Sequence, residues 1–204
     1  MGKQRSLATL PLDGGTLAFH FINTVYAWRK ENLHEYLTGY SDILTWCTKV
    51  KALSANFIRD LRKKSLSHPS AAENAYRHFL ESRHILYKFF SAVAGNEPNT
   101  QRVSFNRLLT QSIIHYGWVE KNEHYEYSLL GTTDLLLPLW AIMQDAHRVM
   151  AENSNNGRIK ECGHCGWIFL DTTRNGQRRW CNPATCGSVE KLKKYYEKNK
   201  TLNK

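Results

Sequence analysis

Two short cysteine pairs near the C-terminus constrain this chain more than any other feature: Cys162-Gly163-His164-Cys165, then Cys181-Asn182-Pro183-Ala184-Thr185-Cys186. The spacing is C-x2-C, fifteen residues (166–180), then C-x4-C. Four thiolates in two close pairs suit a tetrahedral Zn²⁺, each pair wrapping one edge of the ion while a hairpin-length spacer brings the second pair back. The 204-residue chain has five cysteines and four of them are here. Two disulfides would use the same residues but need an oxidising compartment. The opening Met1-Gly2-Lys3-Gln4-Arg5 has no apolar segment of a secretion signal. Zn²⁺ is therefore the expected cofactor and the cytoplasm the expected location. With Cys162, Cys165, Cys181 and Cys186 as ligands the coordination sphere is closed, which points to a structural metal.

The residues between and after the pairs carry further expectations. Trp167-Ile168-Phe169-Leu170 reads as a strand, Asn175-Gly176 as a hairpin turn, and Arg178-Arg179-Trp180 as the returning strand. Beyond Cys186, Val189, Leu192 and Tyr196 fall on one helical face and the lysines mostly off it. The order is knuckle, hairpin, knuckle, helix, as in treble-clef-like fingers.

The run CGHCGWIFLDTTRNGQRRWCNPATCG with its Lys-rich helix resembles the CGNR zinc finger of bacterial proteins, on Cys162, Cys165, Phe169, Asp171, Arg174, Asn175, Arg178, Arg179, Trp180, Cys181, Cys186 and Gly187. Where that family continues with Asn-Arg, this chain has Ser188-Val189. In the family the finger follows a helical domain called ABATE. Leu17-Ala18-Phe19-His20-Phe21-Ile22-Asn23-Thr24 resembles the L-x-x-D-F-x-N-T segment of that domain, with His20 in place of Asp. The resemblance implies a stress-related, DNA-binding transcription regulator.

Upstream, the punctuation is helical. Ser41-Asp42 caps a short helix carrying Ile43, Leu44, Trp46 and Cys47, and Leu53–Lys64 makes another. After Ser67-His68-Pro69-Ser70, the residues Ala72, Tyr76, Phe79, Leu86, Phe90 and Val93 form one apolar stripe ending at Gly95. Arg83 interrupts it and must either reach the edge or pair with a buried acid. Asn99-Thr100 caps a helix with Phe105 and Leu108, residues 116–127 read as a β-hairpin, and Thr132 or Thr133 caps a last long helix with Pro138 in its first turn. The expected class is mainly α: a helical domain over 7–153 with a small hairpin, a linker at 154–157, and a four-cysteine zinc finger over 158–204. Asn23 with Thr24 reads as a buried polar pair, and His20 with Asn23 as a place where a small ligand can sit.

Charge decides the function classes. Residues 158–204 hold 11 Lys/Arg and 4 Asp/Glu, a net +7 of the chain's +10. That is the footprint of a polyanion binder. Arg174, Arg178 and Arg179 around the hairpin, and Lys191, Lys193 and Lys194 on the helix, are the expected DNA contacts. A homodimer and a small-molecule effector are compatible partners for the helical domain. The alternative is an RNA-binding or protein-interaction module with purely structural zinc, in which Trp167, Trp180, Tyr195 and Tyr196 either stack on bases or form a small core beside the metal. No phosphate-binding, dinucleotide, zinc-protease or nucleophile-elbow motif occurs, so no enzyme is expected. No apolar run approaches the length of a membrane span.

Overall fold

The computed structural model describes residues 6–29, 34–130 and 134–202, apart from the side chains of 200–202. It is mainly helical: α1 (Leu17–Ile22), α2 (Tyr40–Val50), α3 (Ala55–Ser67), α4 (Pro69–Gly95), α5 (Arg102–Ile113), α6 (Leu137–Asn153) and α7 (Ser188–Leu202). Two antiparallel pairs complete it, β1 (Tyr116–Lys121) with β2 (His124–Leu129), and β3 (Ile159–Glu161) with β4 (Ile168–Leu170). The caps expected at Thr132 or Thr133 lie outside the described residues. Among the described residues no helix is long and apolar enough to cross a membrane.

The centre is the shortest helix. Thr16 caps α1 by accepting from the Phe19 N–H at 3.3 Å. Every apolar residue of α1 after Leu17 is buried because the segment is surrounded on all sides. Phe19 meets Phe90 edge-on at 4.9 Å, and Phe21 packs against Trp46 and Phe79. The α4 stripe is as the spacing predicts, with Ala72, Phe79, Leu86 and Phe90 buried along it. Arg83, itself buried, does pair with an acid, though Glu35 is a third exposed rather than buried. Its guanidinium pairs with both oxygens of Glu35 and donates to Thr24 Oγ1 at 2.8 Å. Cys47 is fully buried, and burial pushes its thiol up, so it packs as a small apolar side chain.

The C-terminal strands join this core. Ile159, Trp167, Ile168 and Phe169 are buried in the same cluster as α1, α4 and α6, while 154–157 forms a tight turn at the end of α6. Asn23 Nδ2 donates to the Ile168 carbonyl at 2.8 Å, and its Oδ1 accepts from the Ile168 N–H at 3.1 Å. Trp167 Nε1 donates to the Val25 carbonyl at 2.7 Å. Leu170 N–H donates to the Gly14 carbonyl.

The hairpin of this region differs from the expected one. β4 pairs not with 178–180 but with β3, in the register Ile159↔Leu170 and Glu161↔Ile168, so the first cysteine pair caps the hairpin end. Residues 171–180 form an irregular loop. The cause is Asp171, whose carboxylate turns the chain out of the strand by accepting from Thr173 N–H, Thr173 Oγ1, Arg178 N–H and Lys160 Nζ. Asn175-Gly176 does turn the chain, with Gly176 at φ +61, but inside that loop.

Candidate metal centre

Each cysteine is placed by local backbone chemistry. In the first knuckle the Cys162 N–H donates to the Trp167 carbonyl at 2.8 Å and the Gly166 N–H returns to the Cys162 carbonyl at 2.9 Å. The Cys165 and Trp167 backbone N–H groups point at the sulfurs of Cys162 and Cys165. Gly166 sits at φ +79 with Arg29 and Trp28 against it, a position only glycine takes without strain. In the second knuckle the Asn182 carbonyl oxygen of the side chain accepts from the Ala184 N–H at 2.9 Å. One π-type turn, Pro183–Gly187, then carries Cys186 directly into α7.

The four sulfurs all lie within 4.8 Å of one another. Cys165 Sγ is 3.6 Å and Cys186 Sγ 3.7 Å from Cys181 Sγ. A tetrahedral Zn²⁺ with bonds of about 2.3 Å sets its sulfurs about 3.8 Å apart. The donor set therefore fits, and the four cysteines are positioned to coordinate zinc. Their thiols also cannot ionise independently. Hydrogen bonds with Cys165, Cys181 and Cys186 push Cys162 down, while those with Cys162, Cys165 and Cys186 push Cys181 up. A dication shared by all four removes that competition.

The surroundings divide the cations of this region into two groups. Arg158 donates to the carbonyls of Asp171, Thr173 and Arg174, and Lys160 to Asp171 and the carbonyls of Gly176 and Arg178. Both hold the 171–178 loop. Arg178 turns inward as well, stacking on Phe169 at 4.7 Å and donating to the Trp180 carbonyl at 3.0 Å and to the Cys181 carbonyl. Its guanidinium, expected at the sequence level to face DNA, props the second knuckle from a half-buried position. Arg174, Arg179, Lys191, Lys193 and Lys194 are exposed, with Arg179 lying over the Trp180 ring at 5.6 Å.

His164 Nδ1 is 2.8 Å from Glu190 Oε1, which ties the first knuckle to the first turn of α7. Trp167 is buried core, and half-buried Trp180 lies so close over Gly163 that a Cβ there would come within 2.9 Å of its ring. Tyr195 and Tyr196, expected beside them, are instead exposed at 61% and 64%. α7 leaves the module after its first turn, and Val189, Leu192, Tyr195 and Tyr196 along it are exposed. At the other expected site, Asn23 has both side-chain polar atoms on Ile168 and is buried. His20 is half-buried, and burial pushes its imidazole down. What the sequence reading missed is Arg158-Ile159-Lys160, whose alternation directly before the first cysteine pair is the one local sign of β3.

The model of the CGNR zinc finger family matches residues 158–199, which span both cysteine pairs and most of α7. No curated protein matches the chain.

Proposed function

We propose that the chain is a cytoplasmic, DNA-binding regulator of transcription, in which the zinc module contacts the duplex and the helical part carries the signal or the self-association that controls it. The observation that carries this reading is the division of cations. Arg158, Lys160 and Arg178 build the loop, leaving Arg174 and Arg179 on that loop and Lys191, Lys193 and Lys194 on α7, all exposed on elements fixed by one donor set. Rigidly spaced cations of this kind bind phosphates, and an arginine at a loop tip can reach a base edge. The family match at 158–199 supports a zinc module that contacts nucleic acid or protein. The resemblance of the first helices to the ABATE domain supports a stress-related signal. Nothing in this reading requires catalysis.

The exposed Tyr195 and Tyr196 favour a second reading, an RNA-binding module that stacks unpaired bases on α7. Titration of the zinc-loaded chain with mixed-sequence duplex DNA and with single-stranded RNA at one salt concentration separates the two. Tighter duplex binding, with little loss in Tyr195→Ala, agrees with the DNA reading. Tighter RNA binding that Tyr195→Ala removes would replace it.

A further inference from the structure

The β1–β2 hairpin and α7 both stand away from the core with apolar faces uncovered. On one face of the hairpin, pairing of Trp118 with Tyr127 and of Glu120 with Tyr125 lines up three aromatic rings beside a carboxylate. Trp118 is 70% and Tyr125 67% exposed. The hairpin is anchored to the core through Tyr116 and Leu129 at its base. Its turn places Asn122 and Glu123 at positive φ, a type I′ geometry that a glutamate adopts only at a cost. A two-stranded ribbon in water is marginally stable by itself. An exposed patch of large rings on such a ribbon is the mark of a covered surface.

The two exposed faces match each other. On α7 the helical repeat puts Val189, Leu192 and Tyr196 on one stripe with Tyr195 at its margin, and all four are exposed. Lys191 and Lys193 border the stripe on either side. The hairpin is acidic: Glu120, Glu123 and Glu126 against Lys121, which already pairs with Glu126. Glu120 lies on the aromatic face itself and Glu123 in the turn beside it. An apolar stripe edged by two lysines thus meets an aromatic face edged by two glutamates. Hairpin against hairpin, or α7 against α7, would instead set like charges together.

We propose that the chain forms a two-fold dimer in which the hairpin of each protomer lies on the α7 stripe of its partner. The exchange is reciprocal, so it closes at two copies and covers both faces on both protomers. Lys194, on the side of α7 away from the stripe, stays free for other contacts. The pairing engages Lys191 and Lys193, so the cations it leaves to a duplex are Arg174, Arg179 and Lys194; its readout is mass, not affinity for nucleic acid.

The test is sedimentation equilibrium of the zinc-loaded full chain. The wild type is a dimer. Trp118→Ser and Leu192→Ser each give monomers with unchanged circular dichroism and zinc content, because both side chains are exposed and hold nothing in the core. Glu120→Lys weakens the dimer about tenfold through like-charge contact with Lys191 and Lys193, and adding Lys191→Glu restores it. A wild-type monomer at the highest concentration reached overturns the proposal. So does a dimer broken by Leu192→Ser and not by Trp118→Ser, or the reverse, since either would mean that like elements pair. Failure of the Lys191→Glu exchange to restore the dimer overturns the charge pairing.

Discussion

Asn23 and Ile168, 145 residues apart, exchange two hydrogen bonds through the Asn23 side chain and the Ile168 backbone. The amide of a helix-end residue thereby does for β4 what a neighbouring strand would do, and it joins the zinc-bearing strand to the centre of the helical core.

Asn23→Ala leaves a buried N–H and a buried carbonyl of Ile168 without partners. Each such group costs about 1–3 kcal/mol, so a loss of roughly 2–4 kcal/mol in chemical denaturation is expected. Zinc content before unfolding should be unchanged, because the four cysteines remain. A loss under about 1 kcal/mol would mean that the two bonds do not hold β4.

Arg178 and Arg179 are adjacent and should behave oppositely. Arg178→Ala removes the stack on Phe169 and the donors to the Trp180 and Cys181 carbonyls. Groups that orient metal ligands typically contribute tenfold or more in affinity, so competition with a chromogenic chelator should show about a tenfold weaker zinc site. Arg179→Ala should leave zinc affinity alone and weaken duplex binding. Equal effects of the two variants on zinc would contradict the inward placement of Arg178.

Zinc removal should reach beyond the finger. Cys162, Cys165 and Cys181 belong to the same buried cluster as Phe19, Phe90 and Val149. Four thiols forced together without a dication repel once ionised. A chelator strong enough to strip the metal should therefore lower the melting temperature followed by helical circular dichroism. An unchanged helical transition would show that the finger melts separately.

Asp171 gives a pH signature. Burial pushes its carboxyl up, but the bonds from Thr173, Lys160 and the Arg178 N–H outweigh that and hold it well below the usual carboxylate range. Its folded-state pKa is thus below the unfolded value of about 3.9. The stabilisation is fully present above that unfolded value and is lost as pH falls through the folded one. The gap in unfolding free energy between wild type and Asp171→Asn should be largest near neutral pH and shrink below about pH 4. A gap that does not change with pH would mean the carboxylate's charge contributes nothing.

The parts of this fold legible in the sequence are those set by short spacing. A C-x2-C and a C-x4-C pair fix the metal site, and the stripe from Ala72 to Phe90 fixes α4, because both depend on residues a few positions apart. The strand pairing was misread for the same reason. Asn175-Gly176 is a strong local turn signal, yet β4 pairs with Ile159–Glu161, whose local sign is no more than the alternation of Arg158-Ile159-Lys160. Arg178 reads in the sequence as a surface cation; because 171–180 leaves the strand, its carbonyls need donors, and a guanidinium supplies them. Asn23, read as half of a buried polar pair, has a bonding partner that no local pattern encodes. The exposure of Tyr195 and Tyr196 was hidden too, since periodicity reveals an apolar face and not what covers it.

The central claim is that the exposed cations of the metal-held module bind a duplex. The direct measurement is duplex affinity of the zinc-loaded chain across a salt series, for wild type and for Arg174→Gln/Arg179→Gln/Lys194→Gln, the exposed cations that the proposed dimer leaves free. Each phosphate contact contributes a slope of about −0.9 in log K against log[salt], so the triple variant should flatten the wild-type line by up to about 2.7. No duplex binding at low salt with zinc bound, or a variant line as steep as the wild type, would contradict the account.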